Sequence, residues 1–176
     1  MLATNHTAGT LALSLLVLRV ALGGMILAHA YNHAFRGGRM EGTGKWFASI
    51  GMRPGHLNAL LATLTEAVCG VLLCLGFATP IAAAMLVALM VVAIVTVHRF
   101  NGYFIFRPGQ GIEYCLTVAI TAAVLGALGP GRWSLDHALG WWHYTPFQGL
   151  LIAVVLGVGG ATLQMLVAYR PPKSTA

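Results

Sequence analysis

Three ionisable residues, Arg19, Glu66 and Glu113, lie inside or at the edge of stretches that are otherwise free of charge. An ionised side chain within a membrane helix costs roughly 2.5 to 3.5 kcal/mol on insertion scales, so such groups survive by turning inward and pairing. A guanidinium held bidentately by a carboxylate best offsets the desolvation of both. Reckoned at ~1.5 Å per residue from the ends of their runs, Arg19 lies about 18 Å deep, Glu66 about 13 Å and Glu113 about 2 Å. The depths predict an Arg19–Glu66 ion pair. Glu113 shares its level with His29, His33 and His98, and His29 and His33, four residues apart, project from nearly one helix face. The expectation is a polar pocket floored by Arg19 and Glu66 and rimmed by His29, His33, His98, Glu113 and Tyr114. In such a pocket the arginine would steady a developing anion and a histidine would carry protons. The alternative is a purely structural pair that fixes helix register. The HxxxH spacing lacks a confirming third ligand, and no metal site is expected. Cys69 and Cys74 point about 140° apart on a helix and read, with Cys115, as core thiols.

The elements that must position these groups follow from composition. The chain of 176 residues is 58% apolar and 8% charged, whereas a soluble domain carries about a quarter of its residues as charges. That excludes a soluble enzyme, a disordered chain and a coiled coil, and leaves a multi-span membrane protein. Five runs are long enough to cross about 30 Å of hydrocarbon, at about 11–31, 57–77, 81–98, 112–128 and 147–169, each necessarily a helix in lipid. They form one transmembrane domain covering 1–176. The net charge of +6 reads as topology and anionic-lipid contact, not nucleic-acid binding. The first run has an AxA-like Ala28–His29–Ala30, but no basic residue precedes it and Arg19 interrupts it, so it is expected to be retained.

Eight basic residues, Arg36, Arg39, Lys45, Arg53, Arg99, Arg107, Arg170 and Lys173, fall on one side of the runs and only Arg132 on the other. The asymmetry predicts an outside amino terminus and a cytoplasmic carboxyl terminus in a bacterial inner membrane. An aromatic-rich interfacial helix is expected at about 134–144, capped by Ser134, with Trp133, Trp141, Trp142, His143 and Tyr144 at the headgroups. Trp46, Phe47 and Ile50 fall at helical spacing in the first loop. Gly149, Ala153, Gly157 and Ala161 recur every four residues, a stripe that admits a close helix neighbour. Ala119, Ala123 and Ala127 repeat the pattern in the fourth run. Whether these stripes meet one another or another subunit is left open.

The segments LVLRVALGG around Arg19, WFASIGM at 46–52, LTEAVCGVLLCLGFATPIAA at 64–83, VTVHRFNGYF at 95–104, IEYCL and GPGRWSLD at 129–136 together resemble the DoxX family of small membrane proteins. The resemblance implies a four-helix transmembrane bundle, here extended by a fifth C-terminal helix. It also implies association with quinone-coupled sulfur oxidation, or with thiol and oxidative-stress responses, in complexes with other membrane or soluble subunits. His33 stands where the family often has a lysine. No phosphate loop, serine-nucleophile motif or CxxCH is present, so catalysis by the chain alone is not expected. The first functional expectation is a scaffold or assembly partner with a buried Arg/Glu/His pocket. The alternative is the membrane subunit of a quinone-linked or thiol/sulfur oxidoreductase complex that binds a quinone or small anion. No intrinsic cofactor is expected, and quinone or lipid is the ligand class to consider.

Overall fold

The computed structural model describes residues 2–141 and 143–171. With no water to bond to, the backbone of an apolar run must bond within itself, and the chain folds as seven helices among the described residues. They are α1 (Leu2–Phe35), α2 (Arg39–Ser49), α3 (Gly55–Leu75), α4 (Thr79–Asn101), α5 (Glu113–Leu128), the short α6 (Leu135–Ala138) and α7 (Pro146–Ala168). The protein is an all-α membrane protein with four helices long and apolar enough to span a bilayer: Ala8–Phe35 of α1, α3, α4 and α7. The fourth run is the exception. α5 has 16 residues, about 24 Å at 1.5 Å per residue, because the 102–112 loop delays its start and Gly129, at φ 79°, ends it before Pro130.

α4 is the axis. It packs on α3 along one side and on α5 and α7 along the others, while α1 lies on α3 and α2 folds back over α3. The core between them is built from Leu22, Ile26, Leu73, Leu86, Val118 and Leu125. Two π turns interrupt the long helices, Ile94–His98 in α4 and Ile152–Leu156 in α7. The helical spacing of Trp46 and Phe47 corresponds to α2, with Ile50 as its C-cap.

The interfacial element is shorter than the sequence suggests. Ser134 Oγ accepts from His137 N, but only Leu135–Ala138 is helical, and Gly140 at φ 66° ends the turn. Trp142 and Lys173, counted above with the interface and the basic tail, lie outside the described residues.

The stripe on α7 is spent within the chain. Gly149, Ala153, Gly157 and Ala161 are all buried, Gly149 against the Gly126 carbonyl of α5 and Gly157 against Val87 of α4. The facing residues on α5 are Ala122 and Gly126, both buried, whereas Ala119, Ala123 and Ala127 are only half-buried. The carboxyl end is fastened as well: Arg53 N donates to Ala168 O at 2.8 Å and Arg170 N to Gly51 O at 2.7 Å, over a cluster of Phe47, Met52, Ala59 and Ala168.

A Cβ at Gly126 would lie 2.8 Å from Ala153 Cβ and 3.0 Å from Gly149 O, whereas at Gly159 it would meet nothing within 4 Å. Gly126→Val should therefore lower stability by about 1 to 3 kcal/mol through overpacking, and Gly159→Ala should leave it unchanged or slightly raised. Thermal unfolding in detergent checks this; equal effects at the two sites would place the α5–α7 contact elsewhere.

Candidate functional site

The polar residues gather at the two ends of the bundle. At the end holding the α3–α4 turn, Arg19 is fully buried, and its guanidinium donates to the carbonyls of Leu73, at 3.3 Å, and Trp133. Gly76, at φ 65°, gives it room: a Cβ there would overlap Nη1. The carboxylate at this end of the bundle is Asp136, three residues beyond Trp133, near enough for its charge to act on the guanidinium but with no direct ion pair between the two among the described residues. Asp136 is itself buried and accepts from Ala78 N at 2.8 Å, Thr79 N at 3.0 Å and Thr79 Oγ1 at 2.9 Å. It thereby supplies acceptors for the free N–H groups at the start of α4 and holds Ala78 in the left-handed region at φ 48°. Tyr144 belongs to the same neighbourhood, its phenol pushed well above the usual range by burial and by the Asp136 charge.

The expected Arg19–Glu66 pair does not form. α1 continues a full turn beyond residue 31, to Phe35, and a helical side chain leans toward its own N-terminus. Both effects carry the guanidinium away from Glu66. Glu66 meets His33 instead, Nδ1 to Oε2 at 3.0 Å. This is an ion-pair separation, although the ring N–H is not aligned for a hydrogen bond and neither buried atom has another partner. The 14 residues between Arg19 and His33 amount to about 21 Å along α1.

His33 and Glu66 line a cavity of about 240 Å³ near the other end of the bundle. Its remaining polar wall is His29, Thr65, Thr96, His98, Gln110, Tyr114 and Gln164, and its apolar wall includes Trp46, Phe47, Ile50 and Leu89. The π turn of α4 carries Thr96 and His98. His98 Nδ1 lies 2.8 Å from Gln110 O; a carbonyl only accepts, so the contact puts the proton on Nδ1 and leaves Nε2 as the acceptor of the neutral ring. Tyr114 O–H is directed to Met25 Sδ at 2.9 Å. His33 also meets Phe47 edge-on at 6.1 Å.

The structure thus brings His29, His33, Glu66, His98 and Tyr114 together and leaves out Arg19 and Glu113. Glu113 turns to the α4–α5 loop, where Oε2 accepts from Ile105 N at 3.0 Å while its own N–H donates to Tyr103 O at 2.9 Å. Being the first residue of α5, it satisfies the chain entering that helix. Among the described residues no three His, Cys, Asp or Glu side chains converge in a metal-ligating group. Cys115 lines the cavity, and Cys69 donates to Ala82 O at 3.3 Å. The sequence reading passed over Asp136, Gln110 and Gln164. Asp136 did leave a signal, as the one acidic residue among only four on the side of the runs that carries few basic residues.

The family model described as DoxX matches residues 14–99, which takes in α1 from its first third, α2, α3 and most of α4. No curated protein and no solved structure matches the chain.

The geometry makes a double-mutant cycle decisive. Residues that share a network couple by about 0.5 to 3 kcal/mol, whereas distant ones add within about 0.3 to 0.5 kcal/mol. Arg19→Met with Asp136→Asn should show coupling, and Arg19→Met with Glu66→Gln should be additive. Unfolding of the three single and two double variants gives both numbers, and the reverse pattern would restore the pairing expected from sequence.

Proposed function

We propose that this chain, whose residues 14–99 match the DoxX family model, is the ligand-binding membrane subunit of a larger complex. The observation that carries this is the cavity itself, in which an acid–histidine pair, further polar side chains and the rings of Trp46 and Phe47 converge inside an otherwise apolar bundle. A cavity of about 240 Å³ is small for a binding site and suits one polar ring or a small anion. A quinone headgroup fits this chemistry: its flat ring lies against aromatic walls and its carbonyl oxygens accept from histidine or glutamine N–H.

In that role the residues of this chain bind, orient and move protons. His33 Nδ1 and Glu66 Oε2 face each other at 3.0 Å, and a turn of the imidazole that aligns them opens a route for a proton between the two. Reduction of a quinone takes two electrons and two protons. The electrons come from a redox centre of a partner subunit, and the protons reach the ring through the His33–Glu66 pair. By the distribution of basic residues this end of the bundle faces the cytoplasm of a bacterial inner membrane, within reach of a soluble partner.

A scaffold role is the second reading. It drew first on the small-residue stripe, which is buried against α4 and α5. It retains one supporting observation, the apolar outer face of α7, where Val155 and Leu166 are exposed.

Equilibrium binding of 2,3-dimethoxy-5-methyl-1,4-benzoquinone to the purified protein in nanodiscs tests the first reading. Glu66→Gln and His33→Ala should each weaken binding by about tenfold, or 1.4 kcal/mol, and Arg19→Lys by less than about twofold. A wild-type protein that fails to bind this ring would end the reading in favour of the scaffold.

A further inference from the structure

A second and larger cavity, of about 540 Å³, runs between α3, α4 and α7. We propose that this groove holds the hydrocarbon tail of the molecule whose polar head occupies the pocket, so that the ligand is a single-tailed amphiphile admitted sideways from the bilayer. The inference rests on the pocket being a ligand site, and it specifies the shape of the ligand and its route.

The two cavities share a wall. Leu61, Thr65, Ala88 and Gln164 line both, so one layer of side chains separates the His33–Glu66 pair from the groove, and Thr65 and Ala88 are short. Polarity changes across that layer. On the pocket side lie histidines and a glutamate; on the groove side lie Ile81, Met85, Leu156, Leu163 and Val167, with Arg53 and Asn58 confined to the start of α3. A head with a tail is the ligand whose own polarity changes in the same way.

The groove is also kept open. Small residues in membrane helices ordinarily let neighbours close in, as Gly149 and Gly157 do on α7. Gly160 lines the groove, yet a Cβ there would meet no atom within 4 Å. From Leu156 to Ala168, α7 flanks it for about 18 Å, over half of the ~30 Å hydrocarbon thickness. The contact between Gln164 Nε2 and Asn58 Oδ1, at 3.3 Å, ties α7 to α3 at the pocket's end of the groove.

Filling the groove tests the assignment. Gly160→Phe and Leu163→Trp, both on α7, place a large ring there without touching the pocket. The full-length protein in nanodiscs of one phosphatidylcholine composition is titrated with the tail-less benzoquinone above and with its 6-decyl derivative. Both variants should weaken the decyl probe by about tenfold and leave the tail-less probe within about twofold. The proposal fails if both probes weaken alike, or if neither changes, the result expected when an ordinary acyl chain occupies the groove; the pocket reading survives either outcome. A wild type that does not bind the tail-less probe overturns the pocket reading and this one with it.

Discussion

A guanidinium buried in a bundle with almost no acidic residues is the constraint around which the rest of the structure is arranged. Arg19 obtains its acceptors from backbone that helix ends leave over. The last four carbonyls of a helix have no partner within it, nor do the first four N–H groups of the next. Leu73 lies in the last turn of α3, Trp133 in the irregular segment before α6, and both offer carbonyls to the cation. Asp136 does the converse, taking N–H groups at the start of α4. One cation and one anion thus close the polar gaps on either side of a single tight turn, and they bind α1, α3, α4 and the α6 segment into one junction. In lipid, where water cannot fill those gaps, each would cost several kcal/mol if left open.

That junction explains which parts of the site could be read from the sequence. Arg19 and Glu66 were recognisable because a charge amid apolar residues is conspicuous, and burial of both followed from its cost. Their partners were not recognisable. Backbone carbonyls carry no residue signature, so the acceptors of Arg19 were invisible and the nearest acid in depth took their place. Depth arithmetic also treated each side chain as a point at its own Cα, whereas an arginine reaches several ångström along the axis in a fixed direction. The helices themselves were legible, since their signal is length and apolarity. Helix ends were not: the extra turn of α1 to Phe35 and the early stop of α6 are set by Gly37 and Gly140 at positive φ, details finer than the apolar pattern resolves.

α7 shows how a segment outside the family match can still belong to the core. The match ends at residue 99, yet α4, which lies almost wholly within it, packs on α5 and α7 as well as on α3. Without α7, the backbone of α4 near Ala84 and Val87 would lose the close contact of Gly157. The backbone bonds of Arg53 and Arg170 to the opposing chain bring the α2–α3 turn, and with it the Trp46 and Phe47 wall of the pocket, under the hold of the same helix. Addition of this helix therefore shapes the pocket as well as the perimeter.

The separation of the two polar centres also decides what kind of charge the pocket can carry. A guanidinium keeps its proton throughout the accessible pH range, so a pocket floored by an Arg19–Glu66 pair would have carried a fixed cation beside the carboxylate. Because Arg19 is held by carbonyls about 21 Å along α1 from His33, the cavity holds no guanidinium, and its ionisable side chains are three imidazoles, one carboxylate, the Tyr114 phenol and the Cys115 thiol. His98 has one ring nitrogen committed to Gln110 O, and His33 faces Glu66. A cavity with histidines and a carboxylate on its wall and no guanidinium is the chemistry on which the proposed quinone site rests. The permanent charge does the structural work at one end of the bundle, and this leaves the exchangeable charges free at the other.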